Sequence, residues 1–228
     1  MSRCTVGSSL LVAALFSLLS CPPSLSESPH IASDAVVATG SKGELKYPSG
    51  PYGLQVGAVI ENLTFQGKRD ANRDGSLVNE QLGPIELADY YRHGQTKTRV
   101  LLLTACAAWC GPCNAEAPQL VTMYNNYATS APGSVEFLDA LTEKVNHQPP
   151  DEQSLNSWAN KFHVPYAMAT DPSGVKLLRY STEKAYPLHI VVRTKDMTIA
   201  KIVVGAYIDD VRAAIDGVLA KGGRGDSD

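Results

Sequence analysis

The sequence predicts an α/β fold with a mixed central sheet and helices on both of its faces. The apolar run over residues 100–104 is typical of a central strand that is covered on both sides. A helix over residues 110–127 and a strand over residues 135–140 follow it, and this strand–helix–strand order requires parallel pairing. Residues 188–192 and 199–204 form two strands joined by a short polar turn, so they pair antiparallel.

The other predicted elements are shorter or lie nearer the ends of the domain. Residues 59–65 alternate as a strand, and residues 85–91 form a short strand or one helical turn. Ser154 is predicted to cap a helix over residues 154–162, whose apolar residues are spaced for one face. A last helix is predicted over residues 208–220, where two aspartates favour its N-terminal end.

Composition supports one packed domain with extra segments at its ends. The chain has 228 residues, of which 44% are hydrophobic, and this is enough to bury a core. Its formal charge of −3, without a basic stripe, argues against nucleic-acid binding. The predicted domain covers residues 53–220. A flexible tether over residues 21–52, rich in Ser, Pro and Gly, precedes it, and a disordered tail over residues 221–228 follows it.

Residues 1–20 resemble an export signal. Arg3 is the sole charged residue before Glu27, and the apolar stretch between them is too short to span a bilayer comfortably. The run Leu-Leu-Ser-Cys that ends at Cys21 resembles a bacterial lipobox, in which the cysteine is acylated. Ordinary cleavage near residues 24–26 and a membrane anchor helix are the alternatives. We expect a cell-envelope protein, either a lipoprotein that faces the periplasm or a soluble periplasmic or secreted protein.

Most of the recognisable chemistry lies in the run Trp-Cys-Gly-Pro-Cys, with its sulfurs at Cys110 and Cys113. A helix that begins at the first sulfur places unpaired N–H groups and partial positive charge beside it, which favours a thiolate. Cys113 lies one helical turn further on, so its sulfur can reach back. The thiolate is the attacking species in thiol–disulfide exchange, so this pattern predicts reversible disulfide chemistry. Half of a zinc site is the alternative, but no second such pair is present.

The chain resembles the thioredoxin superfamily, and within it the TlpA/ResA-like branch of exported thiol–disulfide oxidoreductases. The matching residues surround the cysteine pair of that family: Trp109, Cys110, Gly111, Pro112, Cys113, Glu116, Pro118, Tyr186 and Pro187. Residues 62–65 and 85–91 resemble the β-hairpin that this branch adds before the basic fold. The resemblance implies a thioredoxin-like, three-layer α/β/α fold over about residues 53–219, with a mixed sheet and this added N-terminal β-hairpin.

The resemblance also implies three catalytic roles. Cys110 would attack the substrate disulfide, and Cys113, the more buried of the two, would resolve the mixed disulfide. Thr104 stands where cytoplasmic thioredoxins have a buried aspartate, and Glu116 would take over the role of that aspartate. It would exchange a proton with Cys113 if it lies buried beneath the disulfide. A solvated helix glutamate is the alternative for Glu116.

Five further residues are implied in substrate binding and redox poise. Gly111 and Pro112 match the dipeptide of thioredoxin, whose potential of about −270 mV makes it a reductant. Trp109 would shield the disulfide and offer an apolar docking surface. Pro187 would be cis, which leaves the backbone at Tyr186 free to pair with an extended substrate. A core role for the tryptophan and a strand-entry role for the proline are the alternatives.

Two other features leave alternatives open. Cys106 is interpreted as a core cysteine, with a third redox thiol as the alternative. Asp70, Asn72 and Asp74 resemble the start of a calcium loop, but Gln81 stands where the bidentate glutamate should be. A turn rich in Asp, Asn and Gly needs no metal, and this metal-free turn is the favoured interpretation. No other metal and no cofactor is expected, and the five histidines are interpreted as surface or strand residues.

The leading prediction is a cell-envelope thiol–disulfide oxidoreductase that acts, as a reductant, on exported thiol or disulfide proteins. In an oxidising compartment it needs an upstream membrane electron donor. An anchored thioredoxin-like binding module without turnover is one alternative. A peroxiredoxin-like thiol peroxidase is the other; it requires Thr-x-x-Cys, which the run from Thr104 to Cys106 misses by one residue.

Overall fold

The computed structural model describes residues 46–72, 74–91 and 97–222. Seven strands form one sheet in this part of the chain: β1 (Thr64–Lys68), β2 (Gly83–Glu86), β3 (Val100–Cys106), β4 (Val135–Leu141), β5 (Ala167–Thr170), β6 (Leu188–Arg193) and β7 (Thr198–Val204). The α-helices are α1 (Gly111–Ser130), α2 (Glu152–Phe162) and α3 (Ile208–Gly222). Short 3₁₀-helices are formed by Leu87–Asp89, Pro172–Gly174 and Leu178–Tyr180.

The sheet is mixed, as predicted, and its strand order is β2-β1-β5-β4-β3-β6-β7. β3 pairs in parallel with β4, and β4 with β5, whereas β6 is antiparallel to both β3 and β7. β1 and β2 form the predicted antiparallel hairpin at the N-terminal side, and β1 is joined to the rest of the sheet by antiparallel pairing with β5. The strand that leads into the cysteine pair, β3, is therefore central.

The two faces of the sheet carry separate cores. Residues Leu102 and Cys106 of β3 belong to the core beneath α1, α2 and α3, whereas Leu101 and Leu103 belong to the core on the opposite face. That opposite core is covered by short 3₁₀-helices and by the N-terminal segment, so helices lie on both faces, and the three α-helices all lie on the first. The segment between β5 and β6 contains Pro172 and two residues with positive φ, Ser173 and Gly174, and it forms 3₁₀ turns in place of an α-helix.

Several predicted boundaries move by a few residues. Asp151, rather than Ser154, is the N-cap of α2, because its carboxylate accepts the Ser154 N–H at 2.9 Å. β1 begins later than predicted, since Ile60 pairs instead with the turn before β7 and donates to the Met197 carbonyl at 2.8 Å. α3 continues through two residues that were predicted to belong to the tail, Lys221 and Gly222. β5 was not predicted.

The predicted signal over residues 1–20, with Cys21 and most of the tether, lies outside the described residues, as does most of the tail. Residues 46–52, the described end of the predicted tether, contact the domain: the Tyr47 hydroxyl donates to the Ile60 carbonyl at 2.9 Å. Within the described ranges, no helix combines the length and the hydropathy that a membrane span requires.

Candidate active site

Cys110 and Cys113 form a disulfide at the N-terminal end of α1. Cys110 is the N-cap residue, and its sulfur accepts the backbone N–H of Cys113 at 3.2 Å. This places the first sulfur beside the donors and the positive end of the helix, as the sequence predicted. Gly111 and Pro112, in the first turn, are exposed and lie between the two cysteines. Both cysteines are 3% exposed, so the prediction that Cys113 is the more buried is wrong for this disulfide-bonded form.

The turn before α1 is fixed by a side-chain amide. Asn114 donates through Nδ2 to the carbonyl of Cys110 at 2.7 Å and to that of Ala108 at 3.1 Å. Its Oδ1 in turn accepts from the ammonium group of Lys161 at 2.6 Å. These bonds satisfy carbonyls that precede the helix and bring one cation from α2 close to the cysteine pair.

The loop before β6 lies next to the disulfide region. The Tyr186–Pro187 peptide bond is cis, as the resemblance implied, and Pro187 is buried. The ring of Tyr186 meets the indole of Trp109 edge-on, with 5.9 Å between the centroids. Trp109 is 41% exposed and donates through Nε1 to Glu143 at 2.8 Å. A pure core role for Trp109 is therefore excluded, and its indole forms part of the surface around the cysteines.

Glu116 is buried on the sheet side of α1, three residues beyond Cys113. Its side chain is 1% exposed, which excludes the solvated alternative. The Nε2 atom of His189 lies 3.0 Å from Oε1 and 3.2 Å from Oε2 of this carboxyl group. The other ring nitrogen, Nδ1, is hydrogen-bonded to the hydroxyl of Thr104 at 3.1 Å. Positions three apart share a helix face, so Cys113 and Glu116 face the same core.

A second buried carboxyl group lies in the same core. Asp139, on β4, is 2% exposed, and burial raises its pKa from 3.8 to about 6. The thiol of Cys106 donates to Asp139 Oδ1 at 3.1 Å. Burial and this carboxyl group raise the pKa of Cys106 well above its usual value. Cys106 is a free thiol in the core, which confirms its interpretation as a core cysteine.

The family model for the AhpC/TSA family matches residues 68–202, which span the sheet, the cysteine pair and the cis-proline loop. The chain belongs to the AhpC/TSA family. No curated protein sequence matches it significantly. The match begins at Lys68, the last residue of β1, and ends inside β7, so the rest of the added hairpin strand β1 precedes it.

Solved structures share the fold at low sequence identity. A protein assigned as the thiol:disulfide interchange protein DsbE of Chlorobium tepidum is 17% identical, with a TM-score of 0.53 over 72% of this chain and 97% of that chain. A protein of Geobacillus kaustophilus is 14% identical, with a TM-score of 0.53 over 73% and 82%. A protein assigned as a disulfide isomerase of Bacteroides thetaiotaomicron is 13% identical, with a TM-score of 0.51 over 72% and 87%. These likenesses confirm the thioredoxin-like fold.

Sequence reasoning did not identify two polar residues that this AhpC/TSA family member places beneath α1. His189 was interpreted as a surface or strand residue, and it lies in β6 but is fully buried. Asp139 was read only as part of a strand. One sequence pattern could have identified both residues: each is a polar residue at an inward-facing position of a strand, and the other inward-facing residues of that strand are apolar. In β4 and β6, Phe137 and Val191 are such neighbours.

The candidate calcium loop is satisfied by its own backbone. Asp70 accepts the N–H groups of Asp74 and Gly75, at 3.0 and 2.9 Å. Asn72 accepts the Asp74 N–H at 2.9 Å, and Asp74 accepts the Ser76 N–H at 2.8 Å. No group of three metal-ligating side chains occurs in the ranges that the structure describes. This arrangement favours the metal-free turn.

A cleft of about 420 Å³ opens beside the start of α1. One wall comes from the loop after β4, and the other from α2. Its lining includes Ala108, Asn114, Val145, Ser157, Trp158 and Lys161. Since Ala108 and Asn114 flank the cysteine pair, the cleft opens next to the disulfide.

Proposed function

We propose that this protein is an exported thiol–disulfide oxidoreductase of the bacterial cell envelope, which exchanges protein disulfides through Cys110 and Cys113. The observation that carries the proposal is the disulfide between these residues at the N-terminus of α1, with the cis-Pro187 loop beside it and Glu116 buried beneath it. The helix end stabilises the Cys110 thiolate, and this thiolate is the nucleophile in disulfide exchange.

Reduction of a substrate proceeds in two exchanges. The Cys110 thiolate attacks one sulfur of the substrate disulfide, and the other substrate sulfur leaves as a thiolate, which water protonates. Cys113 then loses its proton to Glu116 and attacks the Cys110 sulfur, so the second substrate sulfur leaves as a thiolate, which water also protonates. The substrate gains two electrons and two protons, and the protein is left with its disulfide. An upstream membrane electron donor reverses this change in the protein.

The surface around the disulfide supports binding of an extended protein segment. The exposed Trp109, Gly111 and Pro112 form an apolar and backbone surface at the cysteine pair. The backbone at Tyr186, before the cis-proline, is positioned to pair with a substrate strand. Tyr207 adds a 63% exposed ring two residues after Gly205, whose N–H donates to the Pro187 carbonyl at 2.8 Å.

The proposal also includes a direction of electron flow and an attachment to the membrane. The Gly-Pro dipeptide between the cysteines is that of thioredoxin, so we propose that the protein acts as a reductant with a potential of about −270 mV. The lipobox-like run supports acylation of Cys21, which would tether the domain to the membrane that carries its electron donor. Release as a soluble periplasmic or secreted protein remains the alternative for residues 1–20.

Neither alternative function gains support from the geometry. A thiol peroxidase needs an accessible, easily ionised cysteine, whereas burial raises the pKa of the Cys106 thiol and that thiol donates to Asp139. A binding module without turnover has no need for a closed disulfide at a helix N-terminus.

Turnover of insulin disulfides with dithiothreitol tests the proposal on the full chain. We expect reduction by the wild type and its loss in Cys110→Ser. Cys106→Ser is the matched control, because serine keeps a donor to Asp139, and it should retain turnover. A wild type that does not accelerate insulin reduction would leave the binding module as the better assignment. Trapping with Cys113→Ser, which stalls the mixed disulfide, then identifies the natural substrate by mass spectrometry.

A further inference from the structure

Four polar side chains form a buried row beneath the active-site helix. His189, Thr104 and Asp139 are register partners on β6, β3 and β4, so they lie side by side across the centre of the sheet. Glu116 reaches the row from α1 and contacts His189. All four are 3% exposed or less. The row therefore connects three central strands to the helix that carries the disulfide.

A carboxyl group and an imidazole are costly to bury in a core of this kind. Removing either from water disfavours its charged form, and apolar residues of similar volume are often no worse for stability than a buried ion pair. The surrounding inward positions of β3, β4 and β6 are apolar, as Leu102, Phe137 and Val191 show. Stability alone therefore does not explain why a histidine stands at position 189, whereas a role in proton transfer near Cys113 does.

We propose that His189 is a positioning residue that acts through Glu116, so that the proton released by Cys113 is shared by a Glu116–His189 pair. This inference rests on the proposed function and deepens it. The hydrogen bond of 3.2 Å between Nε2 and Oε2 fixes the carboxyl group, and the bond from Nδ1 to Thr104 at 3.1 Å fixes the imidazole ring. The pair stays near neutral overall when it holds the proton, which favours a thiolate at Cys113.

In the resolving step, the S–H bond of Cys113 breaks and its proton passes to the Glu116–His189 pair. The sulfur's electron pair forms the bond to the Cys110 sulfur, and the bond between Cys110 and the substrate breaks, with its electrons leaving on the substrate sulfur. When the membrane electron donor reduces the disulfide again, the proton returns from the pair to Cys113.

Other titratable groups face the pair from the neighbouring strands. Asp139 comes from β4, Cys106 from β3, and Tyr166 from the segment before β5, and each interacts electrostatically with Glu116. Burial raises the pKa of Cys106 and of Tyr166 well above their usual values, so both stay neutral near pH 7. Asp139 can change charge in mildly acidic solution. The test therefore keeps these three residues unchanged and compares variants at pH values above 7.

The test titrates the Cys113 thiolate by its ultraviolet absorbance in the full chain carrying Cys110→Ser. The chain with both cysteines replaced by serine supplies the baseline. His189→Gln keeps a donor for Glu116 but cannot carry the charge, so we expect the titration midpoint to rise by about one pH unit. In a Glu116→Gln background the same change at His189 should leave the midpoint where it is, because the effect passes through Glu116. His163→Gln, at an exposed histidine, is the matched control.

Two results would overturn the inference: an unchanged midpoint in His189→Gln, or an equal shift with and without Glu116. Thr104→Val provides a second variant if His189→Gln folds poorly, since it leaves the pair in place and removes only the partner of Nδ1; it should shift the midpoint in the same direction by less. Insulin turnover is measured separately. Turnover by the wild type without a His189 effect contradicts this inference alone, and a His189 effect without turnover contradicts the proposed function alone.

Discussion

The Nε2 atom of His189 lies 3.0 Å from Oε1 of Glu116, in a part of the core that water does not reach. One residue comes from β6, two positions after the cis-proline, and the other from the helix that begins at the disulfide. The contact therefore links the helix that begins at the disulfide to the strand that follows the cis-proline loop.

Glu116→Gln should slow the resolving step, because the amide cannot accept the proton of Cys113. Removal of a general acid–base group reduces rates by about 10²-fold or more, so we expect a loss of that order in the decay of the mixed disulfide. Rapid-quench measurement of the mixed disulfide with a model peptide reports this step. Glu183→Gln, at an exposed glutamate, is the matched control. Equal decay rates in the wild type and in Glu116→Gln would contradict the role of Glu116.

Trp109→Ala should weaken substrate binding more than it slows chemistry. The indole is 41% exposed beside Tyr186, so its removal deletes docking surface and leaves the disulfide in place. Exposed aromatic anchors contribute about 1–2 kcal/mol to an interface, so KM for insulin should rise several-fold while kcat changes little. Steady-state kinetics separates the two. Tyr52→Ala removes a 48% exposed ring elsewhere and should leave KM unchanged; a fall in kcat alone in Trp109→Ala would refute the docking role.

The central part of the fold follows from local patterns, and the polar row does not. The apolar run of β3 and the Cys-Gly-Pro-Cys turn predict the site because strand, cap and helix lie in one continuous stretch, from Val100 to Ser130 at the end of α1. The contact of Glu116 with His189 joins residues 73 apart. It depends on the register of β6 against β3, which no local pattern encodes.

The predictions that were wrong at the ends of helices and strands have causes within a few residues of each end. Asp151 and Ser154 are both good N-cap residues, and each bonds to the backbone of the other, so composition alone could not choose between them. β5 has four residues, too few for alternation to distinguish it from a loop. The second face of the sheet depends on how one irregular segment folds around Gly174, whose positive φ of 64° has no clear signature in the sequence.

Asp139→Asn should stabilise the protein at neutral pH. The carboxyl group has a pKa of about 6 in the folded protein against 3.8 for the free group, because burial disfavours its charge. The folded state then binds the proton more tightly than the unfolded state, so stability falls as the pH rises from about 4 to about 6, by up to about 3 kcal/mol. Asparagine removes this dependence and still accepts from Cys106 through its carbonyl oxygen. Denaturant unfolding at pH 5 and pH 8 should therefore show a gain for Asp139→Asn that is larger at pH 8. Asp209→Asn, at a side chain that is 91% exposed, should track the wild type at both values; a gain of equal size at the two pH values would mean that the buried charge at Asp139 is not its source.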